Sequence, residues 1–132
     1  MTPDKIRVVI ADDEAHFRCI LRYVVQKEGM LVVGEAADGQ AALDLYRQLK
    51  PDLLLLDINM PARNGDEVLL DVLKVSPLAK VIMLTMVDDA EVVQRCLNAG
   101  ALNYILKSDS TEDISRVLSE AFPRPGMKAG PM

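Results

Sequence analysis

The chain has 132 residues, half of them hydrophobic, with 15 Lys and Arg against 20 Asp and Glu, so its formal charge is 15 − 20 = −5. That length predicts one domain able to bury about two thirds of its unfolded surface, and the acidic balance argues against direct grip on nucleic acid through phosphate contacts. No apolar run reaches the roughly 18 residues that cross a bilayer, and the opening MTPDKIRVVIADDE lacks a signal-peptide pattern. A cytoplasmic location without membrane attachment is therefore expected. Cys19 and Cys96 have no CxxC spacing and no histidine cluster, which predicts buried, reduced thiols rather than a disulfide or zinc site.

Short β-rich apolar runs alternate with segments of helical spacing. In chain order the sequence predicts a strand over Ile6–Ala11, a helix over Glu14–Glu28, a strand over Leu31–Ala36, a helix over Gly39–Leu49 and a strand over Leu53–Asp57. A helix over Gly65–Val75, a strand over Lys80–Thr85, a helix over Asp89–Ala99, a strand over Leu102–Leu106 and a helix over Thr111–Phe122 complete the series. Phe17, Ile20, Leu21, Val24 and Val25 fall on one face of the first helix, which should pack on a sheet. Gly29 and Gly100 sit just past helices, Pro51 and Pro77 follow the second and third, and Asp38, Asp88 and Ser110 are placed to cap helix starts. Strands that are apolar almost throughout, separated by helices, imply a parallel sheet covered on both faces, a doubly wound α/β domain over residues 1–122. In the last ten residues, PRPGMKAGPM, five are Pro or Gly. That tail, 123–132, reads as a disordered linker.

Ligands of open parallel sheets bind outside the carboxyl ends of the strands, near the point where strand order reverses. The strand ends carry Asp12, Asp13 and Glu14 (first), Asp57 with Asn59 two residues on (third), Thr85 (fourth), and Lys107 after Tyr104 (fifth). Each alone has a bland explanation: Asp12 and Asp13 as helix-start acids stabilised by the dipole, Thr85 as an ordinary strand residue, Lys107 as a solvated charge. Their joint appearance at four strand ends does not. Two carboxylates about 4 Å apart repel by roughly 4 kcal/mol at an effective dielectric near 20, so a cluster of three calls for a cation. Magnesium takes oxygen ligands and is usually held by one or two carboxylates plus phosphate oxygens. Lys107 and the Thr85 hydroxyl could each bind a phosphate oxygen. With no His, Cys or Ser among the strand-end residues, a carboxylate is left as the nucleophile, and Asp57 is the best placed.

The set of Asp12-Asp13, Asp57 in LLLLDINMP with Asn64-Gly65 after it, Thr85 ending LT, and Lys107 in YILKS resembles the receiver domain of two-component response regulators, from Ile6 to about Phe122. The resemblance implies a flavodoxin-like fold of strand order 2-1-3-4-5 and phosphorylation of Asp57 by a sensor histidine kinase or phosphotransfer protein. It implies that Asp13 and Asp57 bind Mg2+ directly, Asp12 through water, with the backbone carbonyl of Asn59 completing the site. Thr85 and Tyr104 become a switch pair that alters the face formed by the fourth helix, fifth strand and fifth helix, where a phosphorylated homodimer would form. The implied protein is a switch rather than an enzyme, catalysing only its own phosphotransfer and dephosphorylation and controlling a partner or a transcriptional output domain.

Several residues depart from the family pattern. Met86 stands where a small residue usually follows the threonine, and Ser108 replaces the proline that often follows the lysine, predicting a trans peptide there. Lys107-Ser108 and LTMVDD are closer to regulators bearing a helix-turn-helix domain. Arg63 is expected to face solvent or the kinase, His16 to be a surface residue, and Met60, Met83 and Met86 to fill core or loop space. Two rival classes are a flavodoxin-like nucleotide binder, which would want a Ser/Thr/Gly-rich first loop in place of DDEAH, and a phosphohydrolase with Asp57 as nucleophile.

Overall fold

The computed structural model describes residues 5–123. Five strands, β1 (Arg7–Ala11), β2 (Leu31–Ala36), β3 (Leu53–Asp57), β4 (Val81–Thr85) and β5 (Asn103–Leu106), alternate with α1 (Ala15–Lys27), α2 (Gly39–Leu49), α3 (Gly65–Val75), α4 (Ala90–Ala99) and α5 (Thr111–Ala121). All neighbouring strands run parallel in the order β2-β1-β3-β4-β5. This is the flavodoxin-like arrangement, and the element series matches the expected one to within a residue or two. The expected tail lies outside the described residues save for Pro123.

Side chains on a strand alternate between its faces, and here the alternation divides the core in two. Val9, Ala11, Leu54, Leu56, Val81 and Met83 face α2, α3 and α4, with Ala42, Leu43, Val68, Leu69, Val72, Val93 and Cys96. Val8, Ile10, Leu53, Leu55, Ile82, Leu84 and Ile105 face α1 and α5, with Phe17, Leu21, Val24, Val25, Ile114 and Leu118. Every residue of β3 and β4 is buried. The leucine run is apolar throughout because both of its faces are covered.

Helix boundaries follow local chemistry. Asp38 accepts from the Ala41 N–H at 2.7 Å and Ser110 from the Asp113 N–H at 3.1 Å, as expected of caps. Asp88 does not cap α4: a turn of 3-10 helix, Val87–Asp89, comes first and α4 begins at Ala90. Cys96 is buried as expected but Cys19 is exposed, because its place on α1 is off the Phe17–Leu21–Val24 stripe. No peptide bond among the described residues is cis, and Ser108 follows Lys107 accordingly.

Two glycines are required by close approach. A Cβ on Gly65 would lie 1.9 Å from the Asp57 carbonyl oxygen, and one on Gly39 would lie 2.0 Å from that of Arg63. Gly65 also donates its N–H to the Ile58 carbonyl at 2.7 Å, so the start of α3 presses directly on the end of β3. Gly65→Ala should therefore destabilise the fold by about 3 kcal/mol or more, as overpacking against an unyielding backbone does. Gly29→Ala, in open space at φ +79°, should cost about 1 kcal/mol. Urea unfolding of both variants checks the order; equal losses would contradict the close packing at Gly65.

Candidate functional site

Register builds the site. Ala11 pairs with Leu56 and Asp57 with Leu84, so the next residue of the first chain segment, Asp12, falls alongside Asp57 just beyond the carboxyl edge. Thr85 pairs with Leu106, and the Lys107 N–H donates to the Thr85 carbonyl at 2.9 Å. The crevice therefore opens between β1 and β3, where the strand order reverses.

Within it the carboxylates of Asp12, Asp13 and Asp57 lie within 4.8 Å of one another. Asp12 is 0% exposed and Asp57 3%, whereas Asp13 faces solvent. The Lys107 ammonium, carried across from β5, is 3.1 Å from Asp57 Oδ2, 3.0 Å from Asp12 Oδ2 and 2.5 Å from Glu14 Oε1, with the Phe17 ring 5.5 Å away. Asp12 Oδ1 accepts the Glu14 N–H at 2.8 Å, and Asp57 Oδ1 the Asn59 N–H at 3.3 Å. Three carboxylates, those of Asp12, Glu14 and Asp57, thus share one ammonium, and Asp13 adds a fourth acid on the solvent side, a surplus of negative charge at the sheet edge.

Burial and the neighbouring charges show in the ionisation of the groups. Burial, reinforced by the charge of Asp12, pushes the Asp57 carboxyl up to about 7 against the opposing pull of Lys107. Burial also raises Asp12. Hydrogen bonding to Lys107 lowers Glu14. Burial alone would lower Lys107, but its bonds to Glu14 and Asp12 and the charge of Asp57 prevail and raise it.

A hard divalent cation fits this set. The donors are carboxylate oxygens, and Asp12 Oδ2 is buried without a hydrogen bond in spite of the ammonium 3.0 Å away. Three carboxylates held this close also repel one another, a cost that a divalent cation relieves.

The other expected site residues are less uniformly placed. Thr85 is 1% exposed and its hydroxyl lies 3.0 Å from the Met86 carbonyl and 3.3 Å from Asp89 Oδ2. The Asn59 side chain donates to the same Asp89 oxygen at 3.2 Å. Tyr104 is at the surface, 39% exposed, on a groove with Asp109, Asp113 and Arg116, apart from the carboxylates. Met60 and Met83 fill core, but Met86 is 55% exposed. With Glu14, His16, Phe17, Ile20, Lys107 and Ser108 it lines a groove beside the site, and His16 is exposed as expected. Arg63 does not simply face solvent: its guanidinium is 2.6 Å from Asp71 on α3. Asp89 carried no signal in the sequence beyond being one acid of a pair in LTMVDD.

Residues 8–119 match the sequence model of the family described as response regulator receiver domain. Among curated proteins the chain is similar to protein CcdB of Bacillus subtilis, 39% identical over 85% of this chain and 97% of that one. It is also similar to the uncharacterized transcriptional regulatory protein YxjL of the same organism, 40% identical over 86% of this chain and 53% of that one. A solved chain of the CheX–CheY–BeF3–Mg2+ complex from Borrelia burgdorferi superposes with a TM-score of 0.84 at 27% identity, over 90% of each chain. The chain thus spans nearly all of one relative and about half of another.

Because Asp57 is a buried acid with a raised pKa, its ionisation opposes folding. Its contribution is unperturbed below the unfolded value near 3.8 and becomes increasingly unfavourable as pH rises towards about 7. Without metal, Asp57→Asn should therefore be more stable than wild type by a margin that widens between these pH values and then levels off, up to about 4 kcal/mol. Saturating Mg2+ should narrow it. Urea unfolding across that range, with and without Mg2+, checks this; a margin independent of pH would contradict the burial argument.

Proposed function

The chain belongs to the response regulator receiver domain family, and on that premise we propose that Asp57 accepts a phosphoryl group from a sensor histidine kinase and that the modified domain controls a partner or a transcriptional output domain. Receiver domains are switch modules, and they bind Mg2+ at an acidic pocket. The observation that carries the reading is the Asp12, Asp13 and Asp57 cluster with the Lys107 ammonium bonded to both buried members.

An Asp57 oxygen attacks phosphorus, the bond from phosphorus to the donor's imidazole nitrogen breaks, and its electron pair leaves with the imidazole. With the other ring nitrogen of the donor protonated, the products are an aspartyl phosphate and a neutral histidine. Lys107 stays beside the acceptor oxygen and balances charge as the phosphoryl group arrives. Asp13, Asp57 and the Asn59 carbonyl would hold Mg2+, with Asp12 acting through water; the ion, when bound, neutralises charge on the transferring group. Asp57 is held in line by the Asn59 N–H and by Gly65 packed under its carbonyl.

Transfer changes the charge at Asp57 from −1 to about −2 and adds strong acceptors, so Thr85 gains a partner at Asp57 only in the modified state, while Lys107, already paired to Asp57, meets a more highly charged one. Thr85 turns towards the phosphoryl group, Tyr104 leaves the surface, and the α4–β5–α5 face changes its affinity for a partner or a second copy. The reading takes residues 1–122 as the receiver and 123–132 as a linker, in a cytoplasmic protein that does not itself bind nucleic acid. Among the described residues no helix is long and apolar enough to cross a membrane.

Incubation with acetyl phosphate and Mg2+ should add one phosphoryl group, read by intact mass. Asp57→Ala and chelation of Mg2+ should each abolish labelling, and Lys107→Ala should slow it by about 10²-fold or more, as loss of a charge-stabilising group does. Labelling that survives Asp57→Ala would overturn the assignment, and steady turnover of added phosphoesters would favour a phosphohydrolase.

A further inference from the structure

The carboxylate of Asp89 is not spent on its helix. It closes the 3-10 turn Val87–Asp89 and flanks the start of α4 with φ −96° and ψ 24°, and its side chain makes no cap bond. Instead it reaches back to the sheet edge, where one oxygen, Oδ2, lies 3.3 Å from the Thr85 hydroxyl and 3.2 Å from Asn59 Nδ2. Those two residues belong to different strand ends, β4 and the loop after β3. An acid four residues after Thr85 therefore ties both to the loop that precedes α4.

We propose that Asp89 is a positioning residue that tethers Thr85 and Asn59 in the unmodified protein and must release Thr85 for the phosphorylated state to form, an inference that rests on Asp57 being the phosphoacceptor. A hydroxyl has one proton to donate. While Thr85 donates to Asp89 or to the Met86 carbonyl it cannot donate to a group on Asp57. Phosphorylation offers a more highly charged acceptor at Asp57 and at the same time repels the nearby Asp89 carboxylate. Both effects break the same contact, and breaking it frees the turn at Val87–Asp89 and with it the start of α4. Asp89 thus sets the threshold that the phosphoryl group must overcome, because its contacts favour only the unmodified state.

The test is a double-mutant cycle on beryllium fluoride binding with Mg2+, the beryllium trifluoride unit standing in for the phosphoryl group, paired with amide hydrogen exchange of the unmodified protein. Asp89→Ala should tighten beryllium fluoride binding by about 3- to 10-fold, the range expected for removing one weak charge-assisted bond. In a Thr85→Ala background the gain should shrink to about twofold or less, because there is no hydroxyl left to release. Exchange at residues 86–90 should accelerate in Asp89→Ala and in Thr85→Ala without any ligand. An equal gain in both backgrounds would make Asp89 a plain repulsive charge and overturn the tether, as would unchanged exchange. If wild type fails to bind beryllium fluoride, the reading of Asp57 falls, while the exchange arm still decides the tether.

Discussion

The ammonium of Lys107 lies among carboxylates from two other segments, and the arrangement of the sheet edge depends on that contact. For the buried partners Asp12 and Asp57, at about 3 Å and an effective dielectric near 20, each pairing is worth roughly 5 kcal/mol before desolvation is set against it, whereas exposed Glu14 adds little. One cation cannot offset four acids, so the cluster keeps excess negative charge. Burial, reinforced by the charge of Asp12, makes Asp57 hold its proton to about pH 7, and Asp12 Oδ2 has the ammonium at 3.0 Å as its charged neighbour. A site in this condition is suited to taking up a divalent cation.

The fold makes such a cluster possible by covering both faces of β3 and β4. Leu53 and Leu55 serve one core, Leu54 and Leu56 the other, so polar chemistry has room only where the strands stop. The shared parallel register then brings the residues after β1 and β3 side by side, and β5 delivers Lys107 from 50 residues beyond Asp57. Gly65 fixes the remaining side, since only hydrogen in place of a Cβ lets α3 approach the Asp57 carbonyl. Stability and site geometry are coupled through that contact.

Much of this was legible in the residues. The alternation of apolar runs with helical spacing gave the element order, and the acids, threonine and lysine at strand ends pointed to one crevice, because parallel strands all finish on the same edge. What escaped was whatever depends on loop path and side-chain direction. Asp88 looked like a cap, but the chain inserts a 3-10 turn and turns Asp89 towards Thr85 instead. Cys19 looked core-bound by residue type, yet helical phase puts it outside. Arg63 found Asp71 across a loop whose course, with Ala62 at φ 68°, has no local sequence signature. Glu14, legible both as a strand-end acid and as the start of α1, flanks the helix and bonds Lys107, a pairing that spacing alone does not show.

The central claim is that the acid cluster and Lys107 form one centre for a cation and a phosphoryl group on Asp57. The most direct measurement is a crystal structure of the protein with Mg2+ and beryllium fluoride. The account predicts one ion at about 2.1 Å from oxygens of Asp13 and Asp57, beryllium fluoride bonded through beryllium to an Asp57 oxygen, and Lys107 paired to one of its fluorides. An ion bound elsewhere, or beryllium fluoride on another residue with Lys107 still on Glu14, would contradict it.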